Sequence, residues 1–353
     1  MPDARLQILF VVRRYGPVGG MERYVWELTR ELVALGHDVE VLCERCHGEK
    51  PTGITVHELG EIAPKPRWLS LLRFGSRAAR WLKRNPRPQS VIHSKERLAF
   101  HDITTFHGPP FATVRTRAWW KNFSIRVAMQ LYLERRELAT ARMVVPNSLF
   151  IRGQLAECYP EYSHKLSEPI VPGVRSIFMR EWKQPPPDGG IIGFVGTEWK
   201  RKGLELAVEI FRQVRQQRPK LELWVVGPAA LEVQHLFAEF DGGYRLLEKR
   251  EDVWDLQRQF DVLLHPAAKE PFGMVITEAM ASQARVVVSD VCGAASEVIA
   301  ASGEVVGLQS SAEIWAAAVE RQLRIDVAPP VYARGWSDVA REYEALYRRL
   351  HSQ

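Results

Sequence analysis

Leu6-Gln-Ile-Leu-Phe-Val-Val12 opens the segment whose reading decides the fold. Its nearly continuous apolar run is the pattern of a parallel strand covered on both faces. The glycine-rich loop Gly16-Pro-Val-Gly19-Gly20 follows. From Met21 to Gly36, Tyr24, Val25, Leu28, Leu32 and Leu35 recur at helical spacing, and Gly36 fits the position just past the helix end. Asp38-Val-Glu-Val-Leu-Cys43 is the next strand. Strand, helix and strand make a β-α-β unit. The second half repeats the alternation with Ile191-Ile-Gly-Phe-Val195, a helix over 203–216, Leu221 to Val226, Val262-Leu-Leu264, a helix over 277–283 and Val286-Val-Val-Ser289. Such alternation predicts an α/β fold with parallel sheets. A chain of 353 residues suits two domains, and Pro185-Pro-Pro-Asp-Gly-Gly190 reads as the entry to the second.

A hydrophobic fraction of 46% and a charged fraction of 25% are those of a globular protein. No apolar run approaches eighteen residues, and residues 1–12 read as a first strand rather than a signal peptide, so a cytoplasmic protein is expected. Cys43 and Cys46 form a C-x-x-C, but no second pair or histidine pair stands at zinc spacing, and Cys43 ends an apolar strand. The formal charge of +6 is uneven. Residues 1–175 hold 27 Lys and Arg against 17 Asp and Glu, and the remainder is acidic. A basic first half points to an anionic partner.

The segment Lys65 to Arg87 carries eight basic residues and no acidic one, interleaved with Trp68, Leu69, Leu71, Leu72, Trp81 and Leu82. It reads either as a basic amphipathic helix on an anionic bilayer, at the inner face of the cytoplasmic membrane, or as a domain helix with a solvated basic face. Pro66 and Gly75 argue against a long helix. No nucleic-acid-binding motif is present, so no nucleic acid is expected as a partner.

Three loops after predicted strands carry chemistry. Gly196-Thr-Glu-Trp-Lys-Arg201-Lys202-Gly203 places cations between a strand and a helix. A departing diphosphate needs such charge, and arginine offers a planar fork for two oxygens. A solvated basic turn would look the same in isolation. Glu270-Pro-Phe-Gly-Met-Val-Ile-Thr-Glu278 sets two carboxylates around a helix start, where backbone N–H groups are open to a phosphate or a sugar hydroxyl. Gly19 and Gly20 allow close approach of a ligand to the backbone. Ligands of open α/β sheets bind beyond the carboxyl ends of the strands, so two such domains facing each other would bring all three loops to one cleft.

Together these loops resemble the retaining nucleotide-sugar glycosyltransferases of the GT-B fold, family 4. The run Arg201-Lys202-Gly203 is similar to the subset acting on lipopolysaccharide core sugars, whereas Thr197 stands where many members have arginine. The resemblance implies two Rossmann-like domains facing across a cleft: an acceptor-side domain over 1–175, a nucleotide-sugar domain over 176–330, and a helix over 331–353 crossing back to the first. It implies that Arg201 and Lys202 grip the diphosphate and that Glu270 and His107 meet the transferred sugar. Phe272, Gly273 and Met274 would offer backbone amides, Glu278 would take the ribose hydroxyls, and Gly19 and Gly20 would touch donor or acceptor. Asn147-Ser148 resembles a structural element of the family, and His265 reads as packing beside the site. The implied reaction moves a hexosyl unit from a UDP-sugar, a substrate rather than a cofactor, to a glycan or lipid-linked anionic acceptor such as lipopolysaccharide core, without a metal. A UDP-sugar epimerase of the same architecture and a catalytically silent membrane-associated binding protein are the alternatives.

Overall fold

The structure is a computed structural model that describes residues 5–116, 124–175 and 182–351. The described residues divide into two compact units, one within Met1–Arg175 and Gly335–Gln353, the other within Ser176–Arg334. In chain order the first unit contains β1 (Gln7–Val11), β2 (Arg14–Tyr15), α1 (Gly20–Ala34), β3 (Asp38–Cys43), β4 (Arg45–Cys46) and β5 (Ile54–Glu58). It continues with α2 (Arg67–Arg84), β6 (Ser90–Ser94), β7 (Ile103–Phe106), α3 (Ile125–Thr140), β8 (Met143–Pro146) and α4 (Leu149–Cys158). Its main sheet has the order β5-β3-β1-β6-β7-β8 with every pairing parallel. β1 lies inside it, with Leu9 opposite both Glu40 and Ile92. Ile8 through Val11 are almost fully buried, as the apolar run requires. β2 and β4 pair as a short ribbon beyond the ends of β1 and β3.

The second unit contains β9 (Gly189–Val195), α5 (Leu204–Gln217), β10 (Lys220–Val226), α6 (Ala230–Val233), β11 (Tyr244–Leu246) and α7 (Val253–Gln257). β12 (Val262–His265), α8 (Met274–Ala281), β13 (Arg285–Ser289), β14 (Gly303–Val306) and α9 (Ala312–Arg324) complete it. The sheet order is β11-β10-β9-β12-β13-β14, again parallel throughout. Phe211 of α5 and Trp315 and Val319 of α9 are fully buried in one cluster with Leu223 and Val225 of the sheet. In both sheets the first strand sits in the middle. The chain builds outward on one side, then returns to build on the other. The reversal falls between β1 and β6 in one sheet and between β9 and β12 in the other, which is where ligand crevices form in open parallel sheets.

Two expectations are corrected. α2 runs unbroken for 18 residues despite Gly75, which is buried and faces Leu98, and Pro66 occupies its N-cap. Its apolar face, with Leu71, Phe74 and Ala78, is buried in the first unit, and Trp81 and Leu82 pack against that core. Trp68, Leu69 and Leu72 of the same helix are half-buried. Arg73, Arg80, Lys83 and Arg84 are exposed, and Arg77 donates to the carbonyls of Leu59 and Gly60 at 3.2 and 3.1 Å. The helix expected over 277–283 begins instead at Met274, because Gly273 turns the chain into it with φ 92°.

α10 (Trp336–His351) belongs to the first unit and lies along α1. It is tied to the sheet by buried polar groups. Tyr343 OH meets Tyr24 OH at 3.1 Å and Thr105 Oγ1 at 2.9 Å. His93 contacts Tyr347 OH through Nδ1 and Thr105 Oγ1 through Nε2, both at 2.7 Å. Burial, then the neighbouring Lys95 and His101, holds His93 well below the usual histidine range, so the network is neutral. Tyr343→Phe removes one hydroxyl and leaves two buried partners short of a bond, a loss of about 1–3 kcal/mol. Denaturant unfolding of the variant should show that loss; an unchanged midpoint would show that apolar packing alone holds α10.

Candidate active site

The two loops that leave β9 and β12 meet at the reversal in the second sheet. The Ala268 amide donates to the Arg201 carbonyl at 2.9 Å, stitching one loop to the other. Gly203 makes the close approach possible: it caps α5 with φ 79°, and a Cβ there would lie 2.1 Å from the Pro266 carbonyl oxygen. Gly196, at φ 151°, leaves the space that the Lys202 side chain fills; a Cβ would sit 2.1 Å from Lys202 Cδ. A side chain at Gly203 would push the two loops apart, and one at Gly196 would displace the Lys202 side chain.

Three of the expected residues come together on one carboxylate. Glu270 Oε2 lies 3.3 Å from Arg201 Nη1, 3.5 Å from Lys202 Nζ and 3.4 Å from His265 Nε2. Glu270 is 7% exposed. Burial alone would push its carboxyl up, but the bond from His265 and the charges of Lys202 and Arg201 outweigh it and hold the pKa at about 2. Glu270 is thus ionised throughout the physiological range. His265, at the end of β12, is fully buried and held below its usual range by that burial, so the neutral ring donates to Glu270 through Nε2. The sequence reading placed His265 beside the site. The structure places it in direct contact with the central carboxylate, and its position at a strand end, five residues before Glu270, was the available signal.

Four of the five N–H donors of Arg201 are engaged in this state. Nη1 also donates to the Lys269 carbonyl at 2.5 Å, while Nε and Nη2 donate to Glu198 Oε2 at 3.1 and 2.6 Å. Among the described residues Lys202 has two long contacts, to Glu270 and to the Val195 carbonyl, each at 3.5 Å, and retains donor capacity. Phe272 is buried, and its carbonyl accepts from the Ala294 amide at 2.8 Å. Gly273 caps α8 with no side-chain cap; the Ile276 amide returns to the Gly273 carbonyl at 2.9 Å, and the amides of Met274 and Val275 have no intrahelical acceptor. Met274 and Glu278, one helical step apart, are the half-buried positions of an otherwise buried α8. A buried carboxylate, two cations and an uncapped helix start can together receive a polyhydroxylated group and a phosphate.

The other expected residues lie in the first unit. Gly19 caps α1 with φ 75°, and Gly19 and Gly20 are exposed. His107 follows β7 half-buried, edge-on to Tyr24 at 4.5 Å, with its carbonyl accepting from Asn147 Nδ2 at 3.4 Å. Its Nε2 is buried with no hydrogen-bond partner among the described residues. Burial, then the neighbouring Lys95 and His93, holds it well below the usual histidine range, so a neutral imidazole stands there. Ser148 caps α4 through a bond from the Ile151 amide at 3.3 Å, which accounts structurally for Asn147-Ser148. Lys95 and Glu96, just past β6, were not singled out from the sequence, yet Lys95 Nζ lies 3.4 Å from the Tyr24 ring centroid.

Residues 18–174 match the model of glycosyltransferase family 4, and residues 189–324 match that of glycosyl transferases group 1. The lipopolysaccharide glucosyltransferase WaaG of Escherichia coli (strain K12) is 24% identical to this chain over 95% of its length and 93% of that protein's. The crystal structure of WaaG, a glycosyltransferase involved in lipopolysaccharide biosynthesis, superposes with a TM-score of 0.73 at 19% identity, covering 96% of this chain and 95% of that one. HepE of Anabaena, solved in complex with UDP, gives a TM-score of 0.71 at 15% identity and covers 98% of this chain and 100% of its own; it has also been solved with UDP-glucose. Two family models covering most of the chain, two parallel sheets with the same reversal, and loops meeting at Glu270 converge on one assignment: the chain belongs to the GT-B glycosyltransferases of family 4.

Proposed function

We propose that this protein transfers a hexosyl unit from a UDP-sugar to an anionic glycan acceptor with retention of anomeric configuration. The observation that carries the reading is the convergence of Arg201 and Lys202 on an ionised Glu270 beside the uncapped start of α8. The UDP and UDP-glucose complexes of HepE support the donor class. WaaG, whose name records glucosyl transfer to lipopolysaccharide, supports a lipopolysaccharide-core acceptor.

In this reading the diphosphate lies against Lys202 and Arg201, and the α8 amides take the remaining phosphate or sugar oxygens. Glu270 accepts from the sugar hydroxyls and Glu278 from the ribose. As the sugar–oxygen bond breaks, negative charge grows on the departing phosphate, and cations already in place stabilise it without reorganising. The same phosphate oxygen takes the acceptor proton on the face where the new bond forms. His107, in the first unit, presents a neutral imidazole with an unpartnered Nε2 among the described residues. Any contact with a bilayer would rest on the exposed charges of Arg73, Arg80, Lys83 and Arg84 and would weaken with salt.

The donor class is tested by thermal shift with UDP, GDP, ADP and UDP-sugars, since a ligand of the native state raises the melting temperature by mass action. Stabilisation selective for UDP and one UDP-sugar is expected; no shift with any nucleotide at millimolar concentration would remove the donor site and leave the silent binding protein. Lys202→Ala and Glu270→Ala should each lower turnover by at least about tenfold with the fold intact. Wild-type turnover in either variant would take that residue out of the site. Glu198 competes with the diphosphate for Arg201, so Glu198→Ala should tighten UDP binding by about twofold to fivefold, the scale of an exposed ion pair. Unchanged or weaker affinity would mean that Arg201 does not meet the diphosphate.

A further inference from the structure

Glu134, on α3, is fully buried and takes four bonds on its two carboxyl oxygens. Oε1 accepts from the Phe111 amide at 2.6 Å and from Arg97 Nη2 at 2.8 Å. Oε2 accepts from the Ala112 amide at 3.0 Å and from Tyr159 OH at 2.8 Å. Two of these donors are side chains, which can follow the carboxylate if it moves. The other two are consecutive backbone amides at the start of a 3-10 turn over Phe111–Thr116, and they can follow only if the main chain moves with them. Glu137, one turn along α3 and also buried, behaves differently. Its carboxyl takes a bond from the Thr104 hydroxyl within β7, and none from a backbone amide among the described residues.

The loop that Glu134 holds is the one that leaves β7 through His107. Gly108, Pro109 and Pro110 are all that separate His107 from Phe111, and each proline fixes one backbone angle. On its other side His107 is continuous with β7, and its carbonyl accepts from Asn147 Nδ2. No hydrogen bond to Nε2 orients the ring among the described residues, so its place is set by the main chain on either side and by the edge of Tyr24. Arg97 adds a second tie. It comes from the loop after β6, donates to the Gln130 carbonyl of α3 at 2.7 Å, and stands 5.9 Å from the Phe111 ring centroid. One carboxylate thus fastens the loops after β6 and β7 to the same helix.

We propose that Glu134 is a positioning residue for the reaction: by holding the amides of Phe111 and Ala112 it fixes where the His107 imidazole stands. The inference rests on the glycosyltransferase reading for what His107 does in turnover, and on the first unit alone for what Glu134 does to His107. Glu134→Gln is close in shape but offers one oxygen where the carboxylate offers two. Each oxygen of Glu134 receives one loop amide. Whichever way the new amide is turned, Phe111 or Ala112 therefore faces an NH2 group.

The test takes two readouts of the full chain. The first is the ring resonance of His107 by NMR without substrate, assigned by its loss in His107→Ala. It should shift in Glu134→Gln while that of His265, in the second unit, stays in place. The second is the release of UDP from UDP-glucose with water as acceptor, followed below the melting temperature of every variant. Glu134→Gln should lower kcat at least about tenfold with KM nearly unchanged, as misplacement of a reacting group does. In the His107→Ala background it should cost less than about a further twofold, because a residue acting through another is not additive with it. Tyr159→Phe removes a donor of the same carboxylate that lies outside the loop; it should lower stability and leave both kcat and the His107 resonance as in the wild type. Glu134→Asp keeps the charge and draws it back by one methylene; it should shift His107 as well, and serves alone if Glu134→Gln does not fold. An unmoved His107 resonance overturns the proposal, with or without turnover. So do a shifted resonance with wild-type kcat, losses that multiply in the double variant, or a Tyr159→Phe loss as large as that of Glu134→Gln. A shifted resonance in a protein with neither UDP release nor a thermal shift with UDP would instead sink the donor reading and leave the hold of Glu134 on His107 standing.

Discussion

Each sheet of this protein is all parallel, and that single constraint places its chemistry. A parallel strand must be followed by a crossover that returns the chain to the same starting edge, so connections leave at the carboxyl edge and helices cover the faces. Successive crossovers pack side by side while the sheet grows in one direction. When growth switches sides, as between β1 and β6 and between β9 and β12, the two crossovers go to opposite faces of the sheet and a crevice is left at the carboxyl edge between them. Side chains at those loop starts are held by rigid strands yet open to a ligand. Lys202, Glu270 and His265 occupy one gap; Arg13, Lys95 and Glu96 occupy the other.

The ligand-free site in the second unit is already electrically complete. Glu270 holds the two cations in place, and in turn they keep it ionised despite burial. A cationic pocket assembled this way does not suffer self-repulsion while empty. An incoming diphosphate must take over contacts now made by carboxylates, of which the exposed Glu198 is displaced far more cheaply than the buried Glu270. The site is therefore preorganised on its buried side and adjustable on its exposed side.

Much of the architecture was legible because burial on both faces writes itself as an apolar run, visible through β1 and β13 and in the last three or four residues of β3 and β10. The cationic loop and the Glu270 loop were legible because both follow such runs. What escaped had no local signature. Gly75 suggested a break in α2, but a helix is stabilised chiefly by the face it buries, and here that face includes Phe74 and Ala78. The start of α8 moved because Gly273 adopts a left-handed conformation that a count of apolar spacing does not register. Lys95 reads as an ordinary lysine after a strand; its burial comes from Tyr24, 71 positions earlier, and from packing that no short window contains.

The buried bonds from Tyr343 and Tyr347 to Tyr24, Thr105 and His93 also order events in time. During synthesis the ribosome releases the whole first sheet well before it makes α10. Until residue 347 emerges, His93, Thr105 and Tyr24 have no hydroxyl from that helix and the α1 surface beneath it is bare. The intervening unit, whose residues are contiguous, can finish folding first. The first unit therefore departs from the customary order in which the earlier domain is completed first, because it cannot be completed until the whole of the second has been made. Until then the apolar surface that α10 covers stays open to a chaperone.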